Sequence, residues 1–270
     1  MSIELQSTAT LHTGHKMPLL GLGTWQLTHD TPGAIQNAIH LGYRMIDTSG
    51  DYGTQPGIGK GLRRADIDRS TLYVVTKVEE TDNAYTAARK NLAELGLEYA
   101  DLMLIHRPPK DNVGEDLWQG LMRVQREGLT RDIGVSNYSV GDIEELVAAT
   151  GEVPVVNQIE WSPFGWSREM LDFCQLNTIH IQAYSPLTRG KQLHNATLAE
   201  IAKRHSKTPA QILIRWNLQL GTIPIIKAAQ PKHQAENLDV FDFELSDNDM
   251  DALGSLNEHY SALGNRLAYM

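Results

Sequence analysis

The chain alternates short apolar segments with helical segments, and this alternation limits the folds open to it more than any other feature of its sequence. The apolar segments lie at 19–23, 43–47, 72–77, 101–106, 132–135, 155–159, 180–184 and 222–226. The stretches between them carry apolar residues at helical spacing, near 34–40, 58–64, 84–95, 116–126, 140–150, 167–176, 198–205 and 209–218. Strands that alternate with helices, without a long irregular gap, predict parallel βα units.

Eight parallel strands can close into a barrel, which leaves no edge strand exposed. The length of 270 residues agrees with the roughly 250 residues usual for eight strand and helix units. We therefore predict an α/β fold, a parallel (β/α)8 TIM barrel that forms one domain over residues 1–270. Residues 9–11 and 15–18 are expected to form an N-terminal β-hairpin with Gly14 in its turn. Extra C-terminal helices, near 232–240 and 247–256, should follow the last strand.

An open, doubly wound sheet is the structural alternative. Such a sheet, when it binds a dinucleotide, usually carries the motif G-x-G-x-x-G after its first strand. The nearest segment, Gly57-Ile58-Gly59-Lys60-Gly61, has the wrong final spacing and follows a loop. We interpret it as the flexible start of a helix, so the closed barrel remains the favoured fold.

Four polar side chains lie at or just after the ends of three predicted strands. Asp47, Lys77 and His106 end strands, and Tyr52 lies in the loop after the first of them. Because the C-terminal ends of barrel strands meet on one face, these side chains are expected to converge. A free tyrosine has a pKa of about 10, so Tyr52 needs the positive charge of Lys77 to act as a general acid near neutrality. Asp47 would keep a buried Lys77 charged, and His106 would bind a carbonyl oxygen by a hydrogen bond.

Seven short motifs occur in one order along the chain. They are Asp47-Thr48-Ser49-Gly50-Asp51-Tyr52-Gly53, Thr76-Lys77, Leu104-Ile105-His106, Gly134-Val135-Ser136-Asn137, Asn157-Gln158-Ile159-Glu160, Ala183-Tyr184-Ser185-Pro186-Leu187 and Glu236-Asn237-Leu238. In content, order and approximate spacing, from about residue 17 to 256, they resemble the aldo-keto reductase family. Several independent motifs in the same order make this resemblance strong.

The resemblance implies an NADPH-dependent reduction of an aldehyde or ketone. Hydride would pass from the nicotinamide to the carbonyl carbon while Tyr52 protonates the oxygen, with Asp47, Lys77 and His106 completing the catalytic set. The resemblance also implies the cofactor-binding residues: Ser136, Asn137 and Gln158 at the carboxamide, Tyr184 stacked on the ring, Ser185 and Leu187 along the pyrophosphate, and Gly23, Thr24 and Asp47 on the ribose side.

The segment expected to bind the adenosine end departs from the family pattern. The family sequence after the last strand is Pro-Lys-Ser, with an arginine four residues before the asparagine of Glu236-Asn237. Here Lys227 keeps the lysine, Ala228 replaces the serine and His233 replaces the arginine. Histidine cannot reproduce the charge and bidentate geometry of an arginine on a 2′-phosphate at neutral pH. NADPH remains the expected cofactor, with NADH more plausible than is usual for the family.

The expected substrate wall also departs from the family. Glu79 and Arg107 stand where the family has bulky aromatic residues, and they either make the mouth of the pocket polar or form an exposed salt bridge that never meets substrate. The predicted wall comprises Trp25, Tyr52, Glu79, His106 and Arg107, with a contribution from Trp161 and Trp166. Residues 257–270 are too few for a long lid, so we expect an open pocket and relaxed selectivity.

Charge and composition exclude several classes of partner. The net charge of -9 argues against nucleic acid, since phosphate binding needs a basic surface. No run approaches the roughly 20 apolar residues of a membrane span, and the polar N-terminus lacks the apolar core of a signal peptide. We therefore expect a cytoplasmic protein, and we expect it to be a monomer. No metal site is expected, because His12, His15, His29 and His40 fall in turns or on polar helix faces.

Three activities remain open from the sequence. The first is reduction of a small carbonyl compound, and the second is oxidation of an alcohol by the same residues in reverse. The third is a nicotinamide-binding regulatory subunit that lacks turnover. The presence of all four polar groups argues against the third, because binding alone does not require them.

Overall fold

The computed structural model describes residues 3–264, 267 and 269. Eight parallel strands form a closed barrel in which each strand pairs with its neighbours along the chain and the last pairs with the first. They are β3 (Gly21–Gly23), β4 (Met45–Asp47), β5 (Tyr73–Val78), β6 (Ala100–Ile105), β7 (Thr130–Ser136), β8 (Val156–Glu160), β9 (His180–Tyr184) and β10 (Ile223–Lys227). The predicted (β/α)8 barrel is confirmed.

An antiparallel hairpin precedes the barrel, as predicted. Its strands are β1 (Thr8–Thr10) and β2 (Lys16–Pro18), with Ala9 opposite Met17. Met17 is completely buried, and it packs with Leu11 against side chains from the barrel interior, among them Met45 and Val156. The hairpin therefore covers the N-terminal end of the barrel, opposite to the end where the polar strand-end residues lie.

Helices surround the barrel and follow the strands in the predicted alternation. They are α1 (Thr31–Leu41), α2 (Gln55–Arg64), α3 (Ala84–Leu95), α4 (Glu115–Arg126), α5 (Val140–Thr150), α6 (Arg168–Leu176), α7 (Ala196–His205), α8 (Pro209–Leu220), α9 (Pro231–Leu238) and α10 (Asp247–Gly254). Local sequence sets several of the ends. At α5, Ser139 and Asp142 satisfy each other's backbone amides in a capping box. None of the helices in the described ranges is both long and apolar enough to cross a membrane.

The glycines at 57, 59 and 61 lie in the first two turns of α2, which agrees with the predicted helix start, but close contacts with neighbouring helices explain them better than flexibility does. Helix α2 packs between α1 and α3. A β-carbon at Gly59 would lie 2.2 Å from the carbonyl oxygen of Leu95, and one at Gly61 would lie 2.6 Å from the side chain of Ile35. These glycines are needed for close helix packing.

The strand register brings the strand-end residues together. Asp47 pairs with Gly23 on one side and Val75 on the other, and Lys77 pairs with Leu104. Because the strands are short and parallel, their C-terminal residues form one ring at the upper end of the barrel. The loops that follow β4 to β10 surround this ring.

Candidate active site

A buried ion pair lies at the base of the upper barrel face. The Nζ atom of Lys77 donates hydrogen bonds to both carboxylate oxygens of Asp47 and to the carbonyl oxygen of Thr48, each at 2.9 Å. Lys77 is completely buried and Asp47 is only 3% exposed. Burial, the largest single influence, lowers the pKa of Lys77, but the charges and hydrogen bonds of Asp47 and Tyr52 together outweigh burial and leave this pKa above its usual value. The lysine therefore stays charged.

Tyr52 lies beside this pair, at the end of the 3-10 turn Gly50–Tyr52. Its hydroxyl oxygen is 3.5 Å from Nζ of Lys77. Burial raises the pKa of Tyr52, and the charge of Lys77 opposes this shift without cancelling it. Lys77 therefore limits the effect of burial on the pKa of Tyr52, in the direction expected from its positive charge. At neutral pH the hydroxyl keeps a proton that it can deliver.

His106 stands next to Tyr52 and is held by Glu79. The two rings meet edge to face with centroids 5.8 Å apart. The Nδ1 atom of His106 lies 2.9 and 2.8 Å from the two carboxylate oxygens of Glu79. Ser49 donates a hydrogen bond of 2.8 Å to the same carboxylate. Glu79 thus lies behind the histidine and is not among the residues that line the cavity, whereas the sequence left open either a polar wall or a salt bridge with Arg107.

Charged side chains surround the Glu79–His106 pair. The guanidinium of Arg107 lies 3.4 Å from Glu79, 3.7 Å from Asp51 and 3.1 Å from Glu80. Within the described part of the chain, Asp51, Glu79 and His106 also have ligand-type atoms within 4.8 Å of one another. Because Arg107 already places a positive charge against both carboxylates, we describe this group as an ion-pair cluster.

A cavity of about 570 Å³ opens above these residues. Most of the predicted site residues line it: Gly23, Thr24, Trp25, Asp47, Tyr52, His106, Arg107, Ser136, Asn137, Gln158, Tyr184, Ser185, Leu187 and Lys227. The lining also includes residues that were not predicted to line it, among them Asp51, Arg189, Leu193 and Leu263. The cavity extends from the Tyr52 hydroxyl at its base to the end of β10.

The match to a known family covers most of the chain. The sequence profile of the Aldo/keto reductase family matches residues 19–258. The chain belongs to the aldo/keto reductase family. It is 42% identical over 255 residues to an aldo-keto reductase of Mycobacterium tuberculosis, a match that covers 92% of this chain and 90% of the relative. It is 39% identical over 264 residues to the glyoxal reductase of Bacillus subtilis, covering 96% and 95%.

Solved structures of aldo/keto reductases have the same fold. The structure of a Bombyx mori aldo-keto reductase in complex with NADP superposes with a TM-score of 0.90 at 32% identity, covering 97% of this chain and 95% of that one. An aldo/keto reductase of Brucella melitensis gives a TM-score of 0.88 at 37% identity, covering 93% and 99%. Members of the family are NAD(P)H-dependent carbonyl oxidoreductases, and this chain is an enzyme of that class.

The polar residues on one side of the cavity of this aldo/keto reductase form a connected network. Gln158 donates a hydrogen bond of 2.8 Å to Asp47 and another of 2.8 Å to Gln182. Ser136 donates to the backbone carbonyl of Gln158 at 2.7 Å. The Asp47–Lys77 ion pair and the amide-bearing strand ends are therefore held in one arrangement.

Asn137 and Tyr184 continue the network at the ends of β7 and β9. The Tyr184 hydroxyl donates to the amide oxygen of Asn137 at 2.8 Å, and the amide nitrogen of Asn137 donates to the His106 carbonyl at 3.0 Å. Asn137, Ser185 and Arg189 have positive φ angles of 64°, 49° and 51°. Such left-handed backbone in non-glycine residues is costly and concentrates at functional sites. The neutral amide and hydroxyl groups fit a nicotinamide carboxamide, which needs both donors and acceptors.

The residues predicted to bind the adenosine end lie at the end of β10 and on the loop and helix that follow it. Lys227 ends β10 and is exposed at the rim of the cavity, and Ala228 is buried. His233, Glu236 and Asn237 lie on α9, outside the cavity lining. His233 is exposed, Glu236 accepts a hydrogen bond from Thr208 and Asn237 is buried. A short helix after the last strands is a common phosphate-binding element in barrels of this type, and Lys227 adds a positive charge next to it.

The outer wall of the cavity differs from the wall expected for this aldo/keto reductase. Trp25 is 39% exposed, and the guanidinium of Arg189 covers its ring at 4.2 Å. Trp161, in contrast, is completely buried, and Trp166 packs between Trp161 and Trp216. The expected contribution of Trp161 and Trp166 to the wall is therefore corrected, since neither lines the cavity: Trp161 lies in the core, and the partly buried Trp166 packs against it.

The C-terminal segment folds against the barrel mouth and is anchored by Glu160. The carboxylate of Glu160 accepts hydrogen bonds of 2.7 Å from the Ser261 hydroxyl and of 2.7 Å from the Ala262 amide. This contact brings Leu263 to the cavity wall. We expected residues 257–270 to be too few for a long lid. Residues 265, 266, 268 and 270 of this segment lie outside the described residues.

Proposed function

We propose that this enzyme reduces small aldehydes or ketones with NADPH and that Tyr52 supplies the proton. The observation that carries the proposal is the position of the Tyr52 hydroxyl, at the base of the cavity and 3.5 Å from a buried, charged Lys77. A carbonyl compound above Tyr52 would also meet the ring of His106. A donor and an orienting group that converge on one atom are what carbonyl protonation requires.

Each residue has a separate role in this proposal. Bound NADPH would supply the hydride, and Ser136, Asn137 and Gln158 would hold its carboxamide. Tyr184, whose hydroxyl is fixed by Asn137, would stack on the ring. Tyr52 holds the proton, and Lys77 stabilises the phenolate that remains after transfer. Asp47 keeps Lys77 charged in a buried setting.

The protonation state of Tyr52 favours the reducing direction near neutral pH. Burial raises the pKa of Tyr52 even in the presence of Lys77, so its hydroxyl is ready to give a proton. Alcohol oxidation would need the phenolate as a base, which is scarce until the pH approaches this raised value. The oxidising direction therefore remains the second candidate.

We propose a broad range of small substrates. Trp25, Leu193 and Leu263 offer apolar or aromatic contacts on the outer wall, whereas Arg107 and Asp51 offer charged ones. The similarity to a glyoxal reductase makes small dicarbonyl compounds reasonable members of a test panel. The monomeric state and the cytoplasmic location stay predictions.

The preferred cofactor is proposed to be NADPH, by a modest margin. Lys227 provides a positive charge at the rim where the helix α9 begins. His233 lies in the first turn of α9 and is exposed. It lacks the two parallel donors with which an arginine binds a phosphate. We expect His233→Arg to strengthen NADPH binding by about 1 to 2 kcal/mol, typical of a gained charge-assisted hydrogen bond.

Fluorescence titration of NADPH and NADH against the wild type and His233→Arg tests this preference. NADH affinity should barely change, because NADH carries no 2′-phosphate. His40→Arg is the matched control, since His40 is an exposed histidine in the last turn of α1, at the opposite end of the barrel. Equal gains for both cofactors, or no gain for either, would show that His233 does not face the 2′-phosphate.

The activity itself is tested with a panel of aldehydes, ketones and dicarbonyl compounds. Each is incubated with NADPH and with NADH while the absorbance of the reduced cofactor is followed. We expect turnover with several of them and faster turnover with NADPH. Cofactor binding without turnover of any compound would instead favour the nicotinamide-binding subunit.

A further inference from the structure

Glu79 makes a contact that neither the sequence nor the proposed reaction requires. It follows β5 directly, and its side chain turns toward His106 at the end of β6. Both of its carboxylate oxygens lie within 2.9 Å of Nδ1 of His106, and Ser49 fixes one of them with a hydrogen bond of 2.8 Å. The carboxylate is therefore held against one particular nitrogen of the histidine ring.

This contact determines which ring nitrogen carries a proton. An ionised carboxylate can only accept hydrogen bonds, so Nδ1 must carry a hydrogen. In a neutral imidazole, Nε2 would then have only a lone pair. A carbonyl oxygen also has only lone pairs to offer, and the two would repel each other. Nε2 can donate to a carbonyl substrate only when the ring is doubly protonated.

We propose that Glu79 is a positioning residue that makes His106 bind the carbonyl substrate as an imidazolium and not as a neutral imidazole. The proposal rests on the proposed carbonyl reduction. It assigns Glu79 a role in substrate binding that acts through the histidine, without contact between Glu79 and the substrate.

The charged groups around His106 favour the doubly protonated, positively charged form of its ring. The groups that face it are Asp51 and Tyr52 from the loop after β4, Glu79 after β5 and Arg107 on its own loop, with the Asp47–Lys77 pair behind Tyr52. The Asp51 carboxylate is 3.8 Å from Nδ1. Burial tends to raise the pKa of Glu79, but hydrogen bonds from His106 and Ser49 and the charge of Arg107 lower it overall. Glu79 therefore stays ionised at neutral pH.

The test compares the pH dependence of kcat/KM for reduction of one uncharged aldehyde at saturating NADPH. In Glu79→Gln the carboxylate is lost, so the alkaline fall in kcat/KM should move to lower pH by about one unit, the lower end of the effect of an adjacent opposite charge. At pH values above the alkaline fall of both proteins, kcat/KM of the variant should be about tenfold lower than that of the wild type. Glu80→Gln removes the same charge from a residue that contacts Arg107 and not His106, and its profile should match the wild type.

The Glu79→Gln substitution, made in a His106→Gln variant, shows whether His106 or Tyr52 is the titrating group. In His106→Gln, the amide can still donate to the carbonyl, but it does not titrate. Adding Glu79→Gln to this variant should leave the pH profile unchanged. An equal shift in that background would assign the effect to Tyr52 and overturn the proposal, as would a Glu79→Gln profile that superposes on the wild type.

NMR of the histidine ring nitrogens tests the protonation state without turnover. The His106 signals are identified by their loss in His106→Gln. We expect Nδ1 to be protonated at every pH at which Glu79 is ionised, and the second proton to be lost at lower pH in Glu79→Gln than in the wild type. A wild-type ring that is neutral with hydrogen on Nε2 would overturn the proposal. Absence of turnover in the wild type, in contrast, would reject the proposed reaction and leave this measurement decisive.

Discussion

Replacing Lys77 by methionine should damage stability and activity together, and the structure gives the size of the first effect. Methionine keeps the aliphatic stem but removes three hydrogen bonds of 2.9 Å. Asp47, only 3% exposed, would keep one donor, the amide of Gln158 at 2.8 Å. Removal of one partner from a buried ion pair costs about 3 to 5 kcal/mol because the other charge stays buried without compensation. We expect the free energy of unfolding to fall by that amount.

The activity should fall for a different reason. Without a cation beside it, Tyr52 becomes a weaker acid, since Lys77 is the group that opposes the effect of burial on its pKa. We expect kcat for carbonyl reduction to fall by at least about a hundredfold, the scale of general acid catalysis. Urea unfolding followed by tryptophan fluorescence gives the stability, with Trp118, Trp161 and Trp216 as buried reporters. Absorbance of the reduced cofactor gives the rate.

The double variant Lys77→Met with Asp47→Asn separates the two effects. The asparagine removes the buried negative charge, so about half of the lost stability, roughly 2 kcal/mol, should return. The rate should stay as low as in the single variant, because Tyr52 still lacks its cation. A single variant that loses less than about 1 kcal/mol, or a double variant no more stable than the single one, would refute the buried-charge argument.

Three further outcomes follow from the same geometry. Tyr52→Phe should lower carbonyl reduction by at least about a hundredfold with cofactor affinity unchanged in a fluorescence titration, and a near wild-type rate would contradict its role as proton donor. Alcohol oxidation by the wild type should rise steadily between about pH 7 and 10, because burial raises the pKa of Tyr52 and the phenolate forms only as the pH increases; a flat profile would argue against Tyr52 as the base. Glu160→Gln should speed hydrogen exchange at the Ala262 amide about tenfold through loss of a charge-assisted hydrogen bond, and mass spectrometry of the C-terminal peptide that shows unchanged exchange would contradict the anchoring role.

Local patterns were enough to predict the architecture of the barrel. Strand and helix periodicities are set by neighbouring residues, and the closure of eight parallel strands follows from the need to leave no edge. The convergence of Asp47, Tyr52, Lys77 and His106 at one end of the barrel followed from the same argument, because the C-terminal ends of barrel strands meet on one face. The fold and the likeness to a family were therefore accessible from the sequence alone.

The glycines of α2 show where local patterns failed. Gly59 and Gly61 do lie in the first two turns of a helix, but the expected flexibility is replaced by close packing where α1 and α3 approach α2. Nothing in the local sequence indicates which helix faces another at that point. The same limit applies to Trp161 and Trp166, whose position on a loop suggested a wall, whereas Trp161 lies in the core and Trp166 packs against it.

The sequence by itself determined the strand count, the order of the units and the residue types that reach the upper face of the barrel. Only the tertiary structure decided which partners the charged side chains near this face contact. Glu79 faces His106, Arg189 covers Trp25, and Glu160 binds the C-terminal segment. The physical reason is that a strand position fixes the β-carbon, whereas the direction of a long polar side chain depends on the donors and acceptors that distant loops bring within hydrogen-bonding distance.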